Sequence, residues 1–445
     1  MTLLQIHTPV PKDIPLPLPL PEWALVVLLV LSFLLHIIFI SLMVGGSIVT
    51  LWAEIKGLKE KRFDTFANEI AKTITVNKSI AVVLGIAPLL SIGTLYTMYF
   101  YAANALTGFA WIMIIPLVTI AFLLTYLHKY TWYTFKDSKR IHIAIMALSV
   151  GIFLFIPLIF LVNVNLMMFP EKWGTIHGFL SALLLPNVIP RYLEFLGSCI
   201  AITGIFIVWY NGRKNYPVEE IYEGDFSRTA LKKTGYSIAL LGLALQIFFG
   251  VIVLFSLPSK GISYDVIAVM AGAGMLLAAA LYYTYLSLTG APEKIDLYFR
   301  RIAGLMLVYM LFYGSSRQMY RNHALSKHQA LMAARTAEFE KLSKEAAEHP
   351  VAEQPQLELD PALGNVARGA ALFQANCAGC HRRDEKLVGP PMTEMVSIYK
   401  GNNKGLEAWI RKPGKKRPDF PQMPTLTQLT DADREELAKY ILSIK

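Results

Sequence analysis

Apolar residues gather into eight long stretches joined by polar connections, at approximately 24–51, 77–101, 108–128, 141–168, 190–210, 236–257, 263–286 and 299–319. A helix needs about 20 residues to cross a hydrocarbon layer roughly 30 Å thick, and each stretch has the length for it. Within lipid every backbone amide must be satisfied inside its own segment, so all eight are predicted to be transmembrane helices. The pattern changes after Arg321. Residues 323–348 are rich in Ala, Glu, Lys and Leu and predict a polar helix leaving the membrane. A proline-containing linker follows over 349–361, and the remainder has the mixed polarity of a compact soluble domain. The expected fold is all-α: a polytopic membrane helix bundle over 1–321, a helical and proline-containing linker over 322–362, and a small helical domain over 363–445.

Composition agrees. Of the 445 residues 54% are hydrophobic and 17% charged, against roughly 25% charged in a soluble protein. The net charge of +10 does not point to nucleic acid, because its distribution follows the predicted spans. The connections after the odd-numbered spans carry Lys56, Lys59, Lys61, Arg62 and Lys72, then Lys129, Lys136, Lys139 and Arg140. They continue with Arg213, Lys214, Arg228, Lys232 and Lys233, and finally Lys294, Arg300 and Arg301. The opposite side holds Lys12, Lys172 and Lys260, with Lys78 and Arg191 at span edges. Positive charge stays on the cytoplasmic side, so the expected topology is N-out and C-out. The implied location is a bacterial inner membrane, with the C-terminal domain on its outer, periplasmic side. The first apolar stretch lacks the small-residue cleavage pattern of a signal peptide.

Three cysteines are too few for a disulfide framework, and two of them fall in Cys377-Ala378-Gly379-Cys380-His381. This is the spacing of covalent haem attachment. Two thiols one helical turn apart add across the porphyrin vinyl groups, and the adjacent imidazole of His381 reaches the iron. No second cysteine pair exists to complete a zinc site. Chance spacing in a redox-inert loop is the alternative. The surroundings favour haem: Gly369 and Phe373 precede the motif, Val388-Gly389-Pro390 follows it, and Tyr440-Ile441 lies on a helix predicted from Thr430. There, Thr430-Asp431-Ala432-Asp433 supplies an N-cap and acidic first turn. Over 365–445 the chain resembles class I cytochromes c. That resemblance implies a covalent haem c and a methionine as sixth iron ligand, in a short loop before the last helix. Met423 in Pro421-Gln422-Met423-Pro424 matches, with Met392 and Met395 as rivals. A His/Met-ligated iron has no open position and suits electron transfer.

Ionisable groups inside spans are candidates for function. His36 falls near mid-bilayer on the first span, Glu194 and Asp265 near the outer ends of the fifth and seventh, and Lys78, His128 and His142 near cytoplasmic ends. The second and third spans hold no carboxylate between Lys78 and His128. His128 and His142 border basic loops and are expected to face solvent or headgroups. His177 lies in an apolar outer segment, 173–185, as an interfacial haem ligand or an interfacial aromatic. Arg191 suits either a haem propionate or a pair with Glu194. Cys199 reads as a small apolar residue, and Tyr99, Tyr101, Tyr282, Tyr283 and Tyr285 as an aromatic belt.

Three regions of the membrane part resemble subunit I of cytochrome bd quinol oxidases: the opening span with its central His36, Val269-Met270-Ala271-Gly272-Ala273-Gly274, and Tyr313-Gly314 followed by Arg317-Gln318. The resemblance implies haem b ligation by His36 (high-spin) and Met270 (low-spin), and pairing with a second bd-like membrane subunit. The departures are specific. The family's fifth-span histidine falls on or near Glu194, the third span (111–126) contains no acid, and the long quinol loop shrinks to 258–262. Shared fold and ancestry are therefore expected rather than the oxygen-reducing reaction, and no catalytic residue is assigned. The expected function is an electron-transfer subunit of a respiratory complex. Its partners would be other membrane subunits, an outer redox protein and a quinone, with no nucleic acid. The alternatives are a divergent oxidase taking electrons from quinol or cytochrome c, and a haem-b-free membrane anchor for one haem c. Met270 as gap-filler and His36 as a hydrogen-bonded interhelical residue are the plain readings beside ligation.

Overall fold

The computed structural model describes residues 18–348, 365–415 and 420–444, and the described residues form helices and no strands. The predicted linker at 349–361 and Lys12 lie outside them, as does the side chain of Lys78. The chain divides into two compact units, 1–336 and 337–445.

The first unit begins with α1 (Glu22–Gly57), α2 (Lys61–Leu95) and α3 (Thr97–Thr107), then α4 (Phe109–Ile112) and α5 (Ile114–Tyr130). It continues with α6 (Lys139–Leu166), the short α7 (Phe179–Leu183), α8 (Val188–Gly212), the short α9 (Val218–Tyr222), α10 (Arg228–Ser256), α11 (Tyr264–Thr289) and α12 (Ile295–Glu348), whose last residues, from Ala337, belong to the second unit. Six described helical segments are long and apolar enough to cross a membrane, or seven if α2 and α3 make one bent span. Their outward faces carry bare apolar side chains such as Leu31, Val83, Leu90, Ile115 and Phe255, which only a lipid-like surrounding leaves without cost.

Two expected spans take a different form. The stretch at 77–101 breaks at Tyr96, where the axes of α2 and α3 meet at 110°. Tyr96 is buried, and its hydroxyl lies 2.9 Å from Asn322 Oδ1 and 2.6 Å from Gln318 Nε2. The bend therefore follows from partners more than 200 residues away. The stretch at 299–319 and the polar helix at 323–348 are one 54-residue helix, α12, because no proline or glycine separates them. Arg300, Arg301 and Arg317 bracket its apolar part, and it is not among the six or seven.

The tightest helix pair is α8 with α10. A Cβ on Gly204 would come within 2.3 Å of the Ala239 nitrogen, and one on Gly242 within 2.2 Å of the Ala201 nitrogen. Gly197 and Gly204 on one helix face Gly235 and Gly242 on the other, each pair one heptad apart. Small residues in that register let two backbones approach in a medium that supplies no hydrophobic drive.

The second unit contains α13 (Asn365–Asn376), α14 (Met392–Tyr399), α15 (Asn403–Arg411) and α16 (Asp431–Ser443). Its core joins Phe373, Met392, Leu406, Ile410, Leu429, Leu437 and Ile441. α13 crosses α16 at Gly369, where a Cβ would lie 2.3 Å from the Glu436 carbonyl oxygen and 2.6 Å from Tyr440 Cβ. Gly369→Val is expected to force this crossing apart. The predicted loss is about 2–3 kcal/mol for an overpacked core, read as a lower guanidinium midpoint.

A capping box opens α16. Thr430 Oγ1 accepts from the Asp433 amide at 3.2 Å, and Asp433 Oδ2 accepts from the Thr430 amide at 3.0 Å. The Thr430 hydroxyl, aided by Arg368, holds the Asp433 carboxyl below its ordinary value. A depressed folded-state value stabilises above the unfolded pKa of about 3.9 and is lost as pH falls through the lower folded value. Wild type should therefore lose stability faster than Asp433→Asn on acidification below about pH 4; thermal melts on that pH series measure the difference.

Candidate functional site

The cysteine–histidine motif occupies the turn that ends α13. The amides of Cys377 and Ala378 donate to the Phe373 carbonyl at 2.8 and 3.0 Å, and those of Cys380 and His381 to the Cys377 carbonyl at 3.0 and 2.9 Å. One turn of backbone thus carries both thiols and the imidazole. Cys377 is buried and Cys380 exposed; burial pushes the Cys377 thiol up to about 11. His381 Nδ1 lies 2.8 Å from the Pro390 carbonyl oxygen, which only accepts, so Nδ1 bears the hydrogen. Nε2 keeps its lone pair for a metal, the arrangement in which a carbonyl fixes tautomer and ring orientation.

The loop after the motif folds back onto that ring. The Gly389 amide donates to the Cys380 carbonyl at 2.8 Å, and a Cβ on Gly389 would come within 2.3 Å of His381 Cε1. Glycine is needed for this close approach. Leu387 and Val388, 43% and 49% exposed, present apolar surface in the same loop, the chemistry that a porphyrin face requires. The donor set and this apolar border therefore fit a haem. The three candidate methionines differ in burial. Met392 is buried in the core, and Met395, half-buried, packs against it; Met423 is also half-buried and lies in the non-helical segment 421–425.

In the first unit, His36 Nδ1 lies 2.9 Å from the Ala81 carbonyl oxygen on α2, and its ring packs on Gly85. This is the interhelical hydrogen bond of the plain reading, and it leaves Nε2 with a lone pair. Met270 is half-buried against the cluster holding Tyr96, Tyr99 and Tyr320. His177 is exposed, its amide donating to Ser181 Oγ. Asp265, placed within a span by the sequence, is 53% exposed and pairs with His323 at 3.3 Å. Cys199 is fully buried in α8.

Arg191, Arg317 and Arg321 lie close enough to feel one another's charge, with Glu194 beside Arg191 and Arg317. Arg191, Arg321 and Glu194 are buried. Glu194 accepts from the Tyr313 hydroxyl at 3.1 Å. Arg317 stands 4.7 Å over the Phe33 ring, and Arg321 5.2 Å over that of Tyr96. Arg321 donates to Gln318 Oε1 at 2.9 Å, while its buried Nε has no hydrogen-bond partner among the described residues. Arg191 and Arg317 neighbour Glu194 and Arg321 neighbours both arginines, so one carboxylate leaves an excess of positive charge in low dielectric.

Two expectations are overturned. His128 and His142 face neither solvent nor headgroups: they are 1% and 0% exposed and both bond to Glu54, itself 0% exposed. Glu54 falls just past the predicted first span, and its apolar neighbours in Trp52-Ala53-Glu54-Ile55 were the one available signal. Of the supposed aromatic belt, Tyr101, Tyr282 and Tyr285 are exposed, but Tyr99 is buried. Its hydroxyl lies 2.9 Å from His328 Nδ1.

Comparison with known proteins bears on the second unit. The Cytochrome c family profile matches residues 366–445. The chain is similar to cytochrome c6 of Cyanidium caldarium, 34% identical over 82 residues, 18% of this chain and 71% of that protein. It is similar to cytochrome c6 of Cyanidioschyzon merolae, 30% identical over 83 residues, 18% of this chain and 74% of that protein. It is also similar to cytochrome c oxidase subunit 2 of Bacillus sp. (strain PS3), 27% identical over 90 residues, 17% of this chain and 25% of that protein. These likenesses support a haem c cofactor and a redox electron-transfer role. They do not extend to the membrane unit, and the cytochrome bd resemblance gains nothing from them.

Proposed function

Because this chain belongs, through residues 366–445, to the cytochrome c family, we propose that it is a membrane-bound electron-transfer subunit of a bacterial respiratory complex. The carrying observation is the single turn holding Cys377, Cys380 and His381, on a chain with six or seven helices able to cross a membrane. In this reading the two thiols hold haem c covalently, His381 Nε2 and Met423 ligate its iron, and Pro390 and Gly389 keep the imidazole oriented. Burial of Met392 in the core supports the choice of Met423. The charge asymmetry of the connections supports placing this domain on the outer side of the inner membrane, where haem c is attached. A redox protein on that side and a partner membrane subunit are the proposed electron partners.

The membrane unit is read as a relative of cytochrome bd subunit I that has kept the fold and lost the oxygen chemistry. A b haem is part of the proposal. His36, with Nε2 available, and Met270 are its candidate ligands, and the unbalanced guanidinium groups of Arg191, Arg317 and Arg321 match the two carboxylates that a haem carries. Such a group would supply one-electron redox chemistry within the bilayer. His177, exposed, suits an interfacial aromatic and has no assigned part. Arg317 sits over Phe33, one turn from His36 on α1, which links the cationic cluster to that histidine.

Sealed membrane vesicles of both orientations test the placement. A membrane-impermeant reductant should reduce the c-type haem in right-side-out vesicles and leave it oxidised in inverted ones. The reverse pattern would sink the outer placement.

A further inference from the structure

We propose that Glu54, His128 and His142 form a binding site for one divalent first-row transition ion, with zinc the best chemical match. The site is separate from the haem groups considered above. Glu54 comes from the last turn of α1, His128 from the last turn of α5 and His142 from the first turn of α6, and each is at least 99% buried. Their three donor atoms lie within 4.8 Å of one another. Donors on one tetrahedral ion, bonded at about 2.0–2.2 Å, sit roughly 3.4 Å apart, so all three reach one centre once the two stacked rings splay apart.

With both imidazoles neutral the cluster is one hydrogen short, a deficit that one added proton or a bound metal cation makes up. His142 Nε2 lies 2.7 Å from the His128 carbonyl oxygen, which only accepts, so the hydrogen of a neutral His142 is on Nε2. Its Nδ1 then presents a lone pair to Glu54 Oε1, which also offers one. His128 Nε2 faces the other carboxylate oxygen at 2.8 Å. Neutral imidazoles and an ionised carboxylate supply one hydrogen fewer than these contacts need. An ion bonded to His142 Nδ1, His128 Nε2 and the carboxylate removes the deficit at all three atoms. The bond from His142 Nε2 to a carbonyl remains as the support that metal-bound histidines usually have. Two imidazoles with one carboxylate suit zinc and its first-row neighbours, not the oxygen-seeking calcium or magnesium.

Aromatic rings pack closely on the two histidines. The two imidazoles stack at 3.9 Å, and the buried Trp132 meets both rings edge-on. The other charged groups at the cluster are Lys139 of α6 and Asp64 of α2. Lys139 Nζ lies 3.7 Å from Glu54 and 2.7 Å from Asp64, and also 4.2 Å from the Trp132 ring centre. Both side chains are part-exposed, at 20% and 29%, so they connect the site to the surface. A bound ion takes over the role of the Lys139 ammonium at Glu54.

The test uses the purified full-length chain, stripped with a chelator, loaded with zinc sulfate, desalted and analysed for metal by mass spectrometry. Covalent haem iron provides the internal count of chains. The expected result is one retained zinc per haem c, falling at least tenfold in Glu54→Gln and in His142→Gln, with elution volume and haem spectrum unchanged. Zinc retained equally by wild type and both variants would mean surface binding only and overturn the proposal, as would wild type retaining none. Competition of wild type against a chromophoric zinc chelator decides the matter even if the variants do not fold. Competition that saturates at one zinc per haem c supports the site, and no competition, or uptake well beyond one, removes it.

Discussion

Replacing Cys377 and Cys380 together by alanine is expected to abolish all covalently held haem while the membrane unit remains inserted. The two thiols sit on one backbone turn whose four hydrogen bonds run to Phe373 and Cys377 carbonyls, so alanine preserves the backbone and removes only the attachment chemistry. Haem-stained denaturing gels should show complete loss of signal at unchanged protein level, or a fall in level where the domain is degraded. The single variants should differ in degree, because Cys377 is buried beside Phe373 whereas Cys380 is exposed. Alanine at 377 also leaves a small void in the core, so Cys377→Ala should be the less stable of the two. Haem staining that survives in the double variant would show that the turn does not hold the cofactor.

Met423→Ala should change the electronic properties of the haem without releasing it. Loss of a thioether ligand opens the sixth position, and axial ligation is the strongest control on haem potential. A lower midpoint potential is expected, with a shift on the order of a hundred millivolts or more. The reduced c haem should also begin to bind carbon monoxide. Met392→Leu and Met395→Leu should leave the potential near wild type, because these residues pack in or against the core. Met392→Leu should cost under about 1.5 kcal/mol of stability as a near-isosteric swap. Potentiometric titration of the three variants separates the methionines. An unchanged potential in Met423→Ala, with a shift in one of the others, would reassign the ligand.

The parts of this molecule visible in its sequence are those that depend on neighbours along the chain. Hydropathy located the apolar helices, because a lipid-facing helix must be apolar nearly all round. The candidate turn at Cys377, Cys380 and His381 was visible because both thiols and the imidazole fall within five consecutive residues. The start of α16 was visible because Thr430 and Asp433 cap the helix from three residues apart. What escaped depends on contacts across the fold. The bend at Tyr96 is held by Gln318 and Asn322, which no local pattern connects to it. Glu54, His128 and His142 stand 74 and 88 residues apart in the contacts they make. They meet because the short connection at 131–138 returns α6 alongside α5. Basic loops nearby suggested solvation for the two histidines, and burial against Glu54 outweighed that local hint. The cationic excess of Arg191, Arg317 and Arg321 was half-visible: Arg191 and Glu194 stood out on one span, while their neighbours lie on α12.

The most direct test of the central claim is a pyridine haemochrome spectrum of the purified full-length chain after acid–acetone extraction. Haem held by thioether bonds stays with the protein under these conditions, whereas b haem enters the extract. One c-type haem per chain retained in the protein fraction is the predicted result, with b-type haem in the extract if the membrane unit carries it. A protein fraction without haem would contradict the account, because the electron-transfer role rests on the turn at Cys377, Cys380 and His381.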